Sequence, residues 1–238
     1  MMLIGHRGAV AYAPESTRAA IRAALRCKVD MIELDVQVTR DGRLVIFHDR
    51  RLERTTDGRG LLVRHRYADL ARLDAGSWFA SRFAGERILL ASQALRMIPA
   101  PCRINLELKS TRRPVLLIRQ LARSLRWTGT VSRVLVSSFD ARLLARLKQA
   151  DRHVARALLC SRQPWRALRR AVRLNCVAFH PHYALITPAL VTAAHAAGLR
   201  VHTWTVDRAR DAARLAAMGV DGITSNAPDR LAAGRRRR

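Results

Sequence analysis

Short apolar segments typical of buried strands alternate with helical segments along almost the whole chain of 238 residues. Eight strand units result when Leu44–Phe47 is taken as an extension of the second strand beyond the Asp41-Gly42 turn. Strands and helices alternating in this number predict a single (β/α)8 TIM barrel. The predicted strands are Leu3–Arg7, Met31–Thr39, Ile104–Lys109, Val134–Ser137, Val154–Leu159, Cys176–His180, Arg200–Val206 and Asp221–Thr224.

Capping residues mark several helix starts. A serine or threonine precedes the first helix, Asp140 precedes another, and Thr187 stands before Pro188 at a first helical position. The predicted helices are Ser16–Cys27, Pro114–Arg126, Asp140–Gln149, Trp165–Leu174, one from Thr187 to Gly198, and Arg208–Met218.

Residues 50–92 interrupt this alternation. The stretch is rich in turn residues and too long for a plain loop, so we expect an insertion on the catalytic rim of the barrel. Within it, Trp78, Phe79 and Phe83 are expected to form a small core. We therefore expect one domain over residues 1–238, ending in a solvated basic tail at Arg235–Arg238.

Two predicted strands carry polar side chains on one face, because side chains alternate along a strand. A single strand of this kind is ordinarily half-buried with a solvated face. Two together, beside the charged His6-Arg7-Gly8 segment, favour a metal and phosphate site. The polar side chains are Glu33, Asp35 and Gln37 on one strand and Asn105, Glu107 and Lys109 on the other.

The net charge of +26 and the pI near 11.8 are values typical of nucleic-acid-binding proteins. All of the basic residues except Lys28, Lys109 and Lys148 are arginines, however. They are dispersed over helices without interleaved aromatic residues on which bases could stack. We therefore expect no specific nucleic-acid partner and attribute the arginine excess to composition.

The four cysteines, Cys27, Cys102, Cys160 and Cys176, are too widely spaced for zinc or redox motifs. Packed, reduced thiols suit a cytoplasm. The chain starts without an export pattern, and no run of about 18 apolar residues occurs. We expect a cytoplasmic protein without a membrane span, and the sequence does not indicate an oligomeric state.

Ordered strings of residues extend over nearly the whole chain. They include HRGAVAYAPEST, MIELDVQVTRDGRLVIFHD, INLELK, LERTTDGRG, DAGSWFASRFAGERI, VSSFD, GLRVHTWTVD and GVDGITSNAPD. The first three resemble the HRG-x-APENT, ELD-x-x-x-T-x-DG-x-x-x-x-HD and N-x-E-x-K motifs of the glycerophosphodiester phosphodiesterases. LLASQ is similar to a variant in the cytosolic bacterial members of that family.

This resemblance implies hydrolysis of a small glycerophosphodiester to sn-glycerol 3-phosphate and an alcohol, with one divalent cation, Mg²⁺ or Ca²⁺. Oxygen ligands are those that such hard cations prefer. The matching positions are Glu33, Asp35 and Glu107 for the metal, His6 and His48 for acid-base catalysis, Arg7 and Lys109 for the phosphate or for bracing the carboxylates, Trp204 for the pocket wall, and Glu15 for the glutamate of the family's PEN motif.

The chain departs from the family pattern in three places. Ser16 replaces the asparagine of PENT, Ser225-Asn226 stands where many members have Thr-Asp, and the glutamates of a PTLEE motif are absent. None of these changes removes an expected ligand or base. They affect loop packing and substrate preference.

Several roles stay open at the level of sequence. His180 either contacts the substrate or packs, and Asp49 either orients His48 or caps a turn. Which histidine is the acid, and whether water or a substrate hydroxyl attacks, does not follow from the residues. Two alternative functions are a lysophospholipase D acting on lipid-tailed diesters and a catalytically silent basic binding protein on the same fold.

Overall fold

The computed structural model describes residues 1–232, which form a nine-stranded sheet surrounded by helices. The strands are β1 (Met2–Gly5), β2 (Met31–Val38), β3 (Leu44–Ile46), β4 (Arg103–Leu108), β5 (Val134–Ser138), β6 (Ala155–Cys160), β7 (Ala178–Pro181), β8 (Arg200–Thr203) and β9 (Gly222–Ser225). The α-helices are α1 (Arg18–Arg26), α2 (Tyr67–Leu70), α3 (Ala91–Met97), α4 (Pro114–Thr128), α5 (Ala141–Ala150), α6 (Pro164–Arg173), α7 (Pro188–Ala196), α8 (Ala209–Ala217) and α9 (Pro228–Ala232).

Eight of the strands are parallel and close into a barrel. The order is β1, β2, β4, β5, β6, β7, β8 and β9, and β9 pairs with β1. The predicted TIM barrel is confirmed. β3 stands outside the barrel and pairs antiparallel with β2. The expected turn at Asp41-Gly42 is present, and Gly42, whose φ is 78°, reverses the chain. The piece Leu44–Phe47, which the prediction counted with the second strand, is a separate antiparallel strand that ends at Ile46.

Two strands end two or three residues before the predicted residue. β1 ends at Gly5 instead of Arg7, whose φ of 47° takes the chain out of the sheet. β8 ends at Thr203 instead of Val206. In both places the chain leaves the carboxyl end of a strand, so its next side chains lie in loops above the barrel.

The predicted helix caps are present. Thr17, Asp140 and Thr187 each accept a hydrogen bond from a backbone N–H in the first turn of α1, α5 and α7. Pro188 occupies the first turn of α7, where its missing N–H leaves no donor unpaired.

The two faces of the barrel strands bury different side chains. Outward-facing apolar residues such as Ile32, Leu34 and Leu106 pack against the helices in one large cluster. A second cluster fills the amino end of the barrel interior, with Ile4, Met31, Leu135, Ala157 and Ala178 as its members. The inward-facing polar residues lie nearer the carboxyl ends of the strands, where TIM barrels carry their active sites.

The segment between β3 and α3 has a small apolar core of its own. Its buried members are aliphatic apart from Phe47, and they do not include the expected aromatic trio. Trp78, Phe79 and Phe83 instead contact one another edge to face, with Trp78 42% exposed, so that prediction is wrong. The cause lies in the turn that carries these rings. The Asp74 carboxylate accepts hydrogen bonds from the backbone N–H groups of Gly76, Ser77 and Gly85, and these bonds hold the turn at the surface. The core residues are Val45, Phe47, Leu52, Leu62, Leu70, Ala75 and Ile88.

The described part of the chain has no helix that is both long and apolar enough to cross a bilayer. The four cysteines are free thiols, and Cys102, Cys160 and Cys176 are buried in the large apolar cluster. The basic tail expected at Arg235–Arg238 lies outside the described residues.

Gly222 on β9 leaves room for the buried ring of His202, since a Cβ at Gly222 would lie 2.8 Å from Cδ2 of that ring. We predict that Gly222→Ala lowers the free energy of unfolding by roughly 1–3 kcal/mol through this overlap. Urea denaturation measures the loss. In a His202→Ala background the same substitution should cost much less, and an equal cost in both backgrounds would show that the ring is not the cause.

Candidate active site

Three carboxylates meet at the carboxyl end of the barrel. Glu33 and Asp35 are inward-facing neighbours on β2, and the sheet register places Glu107 of β4 beside Asp35. One oxygen of each carboxylate lies within 4.8 Å of the others. The structure therefore brings the three expected metal ligands together.

The charges of this trio are poorly balanced by protein groups alone. Burial, with Asp35 and Glu107 nearby, raises the pKa of Glu33 well above its usual value, and burial together with Asp35 raises the pKa of Glu107 to about 7. Oε1 of Glu33 and Oδ2 of Asp35 are buried without a hydrogen-bond partner. Clustered, orphaned carboxylate oxygens are a donor set that fits a hard divalent cation.

Two basic side chains lie on either side of Asp35. Nζ of Lys109 is 2.9 Å from Oδ1 of Asp35 and 2.5 Å from Oε1 of Glu107, and Nε of Arg7 is 3.2 Å from Oδ2 of Asp35. Burial by itself would raise the pKa of Asp35, but Lys109 and Arg7 hold it below its usual value. Asp35 therefore stays ionised next to two cations.

The turn after β1 places Arg7. Its backbone N–H donates to Glu33, and its guanidinium donates to Glu15 at 2.9 Å. Gly8 follows with a φ of 97°, and a Cβ there would lie 2.6 Å from the backbone of Ala20. The HRG motif thus needs glycine because the turn packs directly against α1.

His6 is held by an amide from the other end of the chain. Its Nδ1 lies 2.6 Å from Oδ1 of Asn226. Asn226 in turn donates through Nδ2 to Asp207 at 2.7 Å, so its oxygen faces the ring and accepts from Nδ1–H. Burial and the neighbouring Arg7 lower the pKa of His6. Asn226, which the sequence marked only as a departure from the family pattern, therefore fixes the tautomer of this histidine.

His48 has a charged partner instead. Its Nδ1 lies 2.5 Å from Oδ1 of Asp49. A hydrogen bond from Arg54 lowers the pKa of Asp49 to about 2, with His48 adding to the effect. Gln37 donates to the backbone carbonyls of residues 47, 48 and 49, at distances of 2.7–3.1 Å, and so anchors the segment. Asp49 orients the imidazole.

Arg54 belongs to the insertion yet reaches the barrel residues. Its Nε lies 2.5 Å from Oδ2 of Asp49, and its two terminal nitrogens donate to Glu15 at 2.7 and 2.8 Å. Glu15 also pairs with Arg7. One network of ion pairs therefore runs from Arg7, next to His6, to Asp49, next to His48. Sequence reasoning missed Arg54, although it lies in the LERTTDGRG string.

A cavity of about 150 Å³ opens between these groups. Trp204 forms part of its wall and donates from Nε1 to the backbone carbonyl of His180 at 2.9 Å. The His180 ring is buried against His202, with centroids 4.9 Å apart, and its Nε2 has no partner. His180 thus both packs and borders the cavity, and its contact with substrate stays a prediction. Besides Trp204 and His180, the lining includes His6, Arg7, Glu33, His48, Asn105, Glu107, Lys109 and Phe139.

The chain is similar to known proteins over nearly its whole length. The family model described as the glycerophosphoryl diester phosphodiesterase family matches residues 6–230. A glycerophosphodiester phosphodiesterase from Caldanaerobacter subterraneus subsp. tengcongensis is 35% identical over 97% of this chain and 96% of the relative. Another, from Bacillus subtilis, is 30% identical over 96% of this chain and 84% of its own length.

Solved structures are similar over the same span. An Oleispira antarctica phosphodiesterase in complex with the product sn-glycerol-3-phosphate superimposes with a TM-score of 0.93 at 31% identity, covering 98% of this chain and 96% of that chain. A glycerophosphodiester phosphodiesterase from Agrobacterium tumefaciens superimposes with a TM-score of 0.86 at 28% identity, covering 98% of this chain and 100% of that chain. The chain thus belongs to the glycerophosphoryl diester phosphodiesterase family.

Proposed function

We propose that this protein hydrolyses glycerophosphodiesters to sn-glycerol 3-phosphate and an alcohol. The observation that carries the proposal is a single small cavity bordered by acidic, basic and imidazole groups at the carboxyl end of the barrel. The related phosphodiesterase structure that holds sn-glycerol-3-phosphate supports the same product. The test is an assay of the purified protein on glycerophosphocholine, with and without a chelator, coupled to detection of glycerol 3-phosphate.

The residues that would hold a divalent cation, Mg²⁺ or Ca²⁺, are Glu33, Asp35 and Glu107. When bound, the cation supplies positive charge that offsets the charge of the phosphodiester. Arg7 and Lys109 border the cavity and are already held beside the carboxylates. They bind the phosphate oxygens through charge-assisted hydrogen bonds.

The two imidazoles differ in their partners, and this difference supports different roles for them. Asn226 is neutral and fixes the proton of His6 on Nδ1, which leaves Nε2 free to take a proton from the attacking hydroxyl group. Asp49 is a carboxylate and holds the His48 ring through Nδ1. His6 is therefore the general base, and His48 is the general acid that protonates the leaving oxygen.

The barrel and the insertion act as one domain in this proposal. Arg54 of the insertion holds Asp49, and Asp49 holds His48, so the acid is positioned from outside the barrel. Trp204 and His180 complete the wall on the opposite side and confine the substrate.

Replacing a carboxylate should affect metal binding, whereas replacing a histidine should affect proton transfer. We predict that Glu107→Gln loses activity and partly recovers it at high Mg²⁺ or Ca²⁺ concentration. His6→Ala should lose roughly 10²- to 10⁴-fold in kcat with cation affinity largely kept. Activity and calorimetric cation titrations separate the two. Equal loss of cation affinity in both variants would indicate that His6 is a ligand of the cation.

The pH dependence should follow the base. Because His6 acts unprotonated and its pKa is lowered by burial and Arg7, kcat/KM should fall only below the usual pKa range of histidine. Asn226→Asp places a carboxylate against the imidazolium and raises its pKa, so the acidic limb should move to higher pH. Asn175→Asp, at an exposed position, should leave the limb in place. An unmoved limb in Asn226→Asp would refute the assignment of His6.

We expect Arg54 to affect catalysis by holding Asp49, and through it His48, in position. We predict that Arg54→Met lowers kcat by roughly tenfold to a hundredfold with little change in KM, since an acid out of position slows proton transfer. Arg51→Met is the matched control, because Arg51 pairs only with Glu53 at the surface of the insertion. Steady-state kinetics of both variants decide the point. A similar loss in Arg51→Met would indicate general damage to the insertion.

A further inference from the structure

Phe139, directly after β5, borders three neighbouring cavities. One is the active-site cavity, and the other two lie against α5 and α6 with volumes of about 360 and 690 Å³. The ring is 46% exposed and stands edge-on to Trp204, with centroids 5.4 Å apart. Leu159 borders the active-site cavity and one of the other two as well, so Phe139 and Leu159 lie between the active-site cavity and a larger groove.

The groove is lined mainly by arginines. One cavity has its basic side chains on α6 and on the loop before it, and the other lies between α5 and α6. Arg170 borders both, so the two cavities form one continuous surface. We call this surface the arginine groove, and its residues are Phe139, Arg142, Arg162, Arg166, Arg170 and Arg173.

Negative charge is scarce in the arginine groove. Asp140 is the one carboxylate among its lining residues, and it already accepts hydrogen bonds from the backbone and side chain of Arg142. Within residues 1–232, the other four arginines of the groove form no ion pair. Their positive charge is therefore available to a ligand.

This imbalance is not simply the composition of the whole protein. Between Glu107 and Asp207 the chain has only two acidic residues, Asp140 and Asp151. The other 16 of the 18 acidic residues lie outside this stretch. Carboxylates are therefore scarce in the part of the chain that forms the arginine groove.

We propose that the arginine groove binds the leaving-alcohol part of the substrate when that part carries a further anionic group, such as a phosphate monoester. This inference rests on the proposed phosphodiesterase function and names its substrate class as polyanionic glycerophosphodiesters. The active-site cavity of about 150 Å³ suits the glycerol phosphate, so the alcohol extends past Phe139 into the groove. Guanidinium groups match phosphate oxygens in geometry and charge.

A small anionic substrate explains the groove better than a macromolecular partner does. The groove is concave, and it meets the active-site cavity at Phe139 and Leu159. A surface for duplex nucleic acid or for an anionic membrane has no need of that connection. The same arginines that attract an anionic alcohol disfavour a cationic one such as choline, by like-charge repulsion.

The test compares two substrates that differ by one phosphate, glycerophosphoinositol and glycerophosphoinositol 4-phosphate, at low ionic strength with saturating cation. Release of glycerol 3-phosphate gives kcat/KM for each. We expect the wild-type enzyme to favour the phosphorylated substrate by about tenfold or more, since several exposed arginine contacts combine. The preference should shrink as salt is added.

Paired variants locate the effect. Arg166→Gln/Arg170→Gln removes two arginines of the groove and should reduce the preference to less than about threefold. Arg146→Gln/Arg169→Gln removes the same charge from exposed positions on α5 and α6 that line neither cavity, and it should keep the wild-type preference.

The outcomes separate this inference from the function on which it rests. Hydrolysis of both substrates without a preference, or a preference that survives in Arg166→Gln/Arg170→Gln, overturns the inference alone. An equal loss of the substrate preference in the control variant Arg146→Gln/Arg169→Gln also overturns the inference, because the preference then depends on the net charge of the protein. A groove variant that loses affinity for duplex DNA or anionic vesicles, with its substrate preference unchanged, assigns the groove to that partner instead. Failure to hydrolyse these substrates and glycerophosphocholine overturns the function and the inference together.

Discussion

The active site depends on holding three carboxylates together inside a barrel. Burial opposes their ionised forms, and this cost is visible in the raised pKa values of Glu33 and Glu107. Lys109 and Arg7 compensate Asp35 but leave Oε1 of Glu33 without a hydrogen-bond partner. Two features of the backbone set where these charges lie. The tight turn at Gly8 places Arg7, and the register of β2 with β4 places Glu107 beside Asp35.

The two histidines that border the active-site cavity are placed by contacts with neighbouring side chains. His6 is held by an amide and His48 by a carboxylate, and each partner is itself anchored, by Asp207 and Arg54 respectively. Two chemically similar rings therefore have different electrostatic surroundings. This asymmetry is the basis on which we propose that one ring accepts a proton while the other donates one.

The barrel followed from patterns that are local in the chain. Strand alternation, helix caps such as Asp140 and Thr187, and the reversal at Gly42 are each signalled within a few residues. Counting β3 with the second strand gave the right number of barrel strands, because the turn at Gly42 folds β3 back against β2 and outside the barrel. The aromatic residues around Trp78 were assigned wrongly because hydrophobicity does not reveal which side chains a turn holds at the surface.

The sequence by itself determined the fold class, the family and the inward-facing trio of Glu33, Asp35 and Glu107, because side-chain direction along a strand repeats every two residues. Only the tertiary structure decided the contact between His6 and Asn226, which are 220 residues apart, the reach of Arg54 to Asp49, and the continuity of the arginine groove with the active site. These contacts join loops from different strands. They exist only once barrel closure brings the carboxyl ends of those strands to one rim, and no pattern within a single segment encodes that meeting.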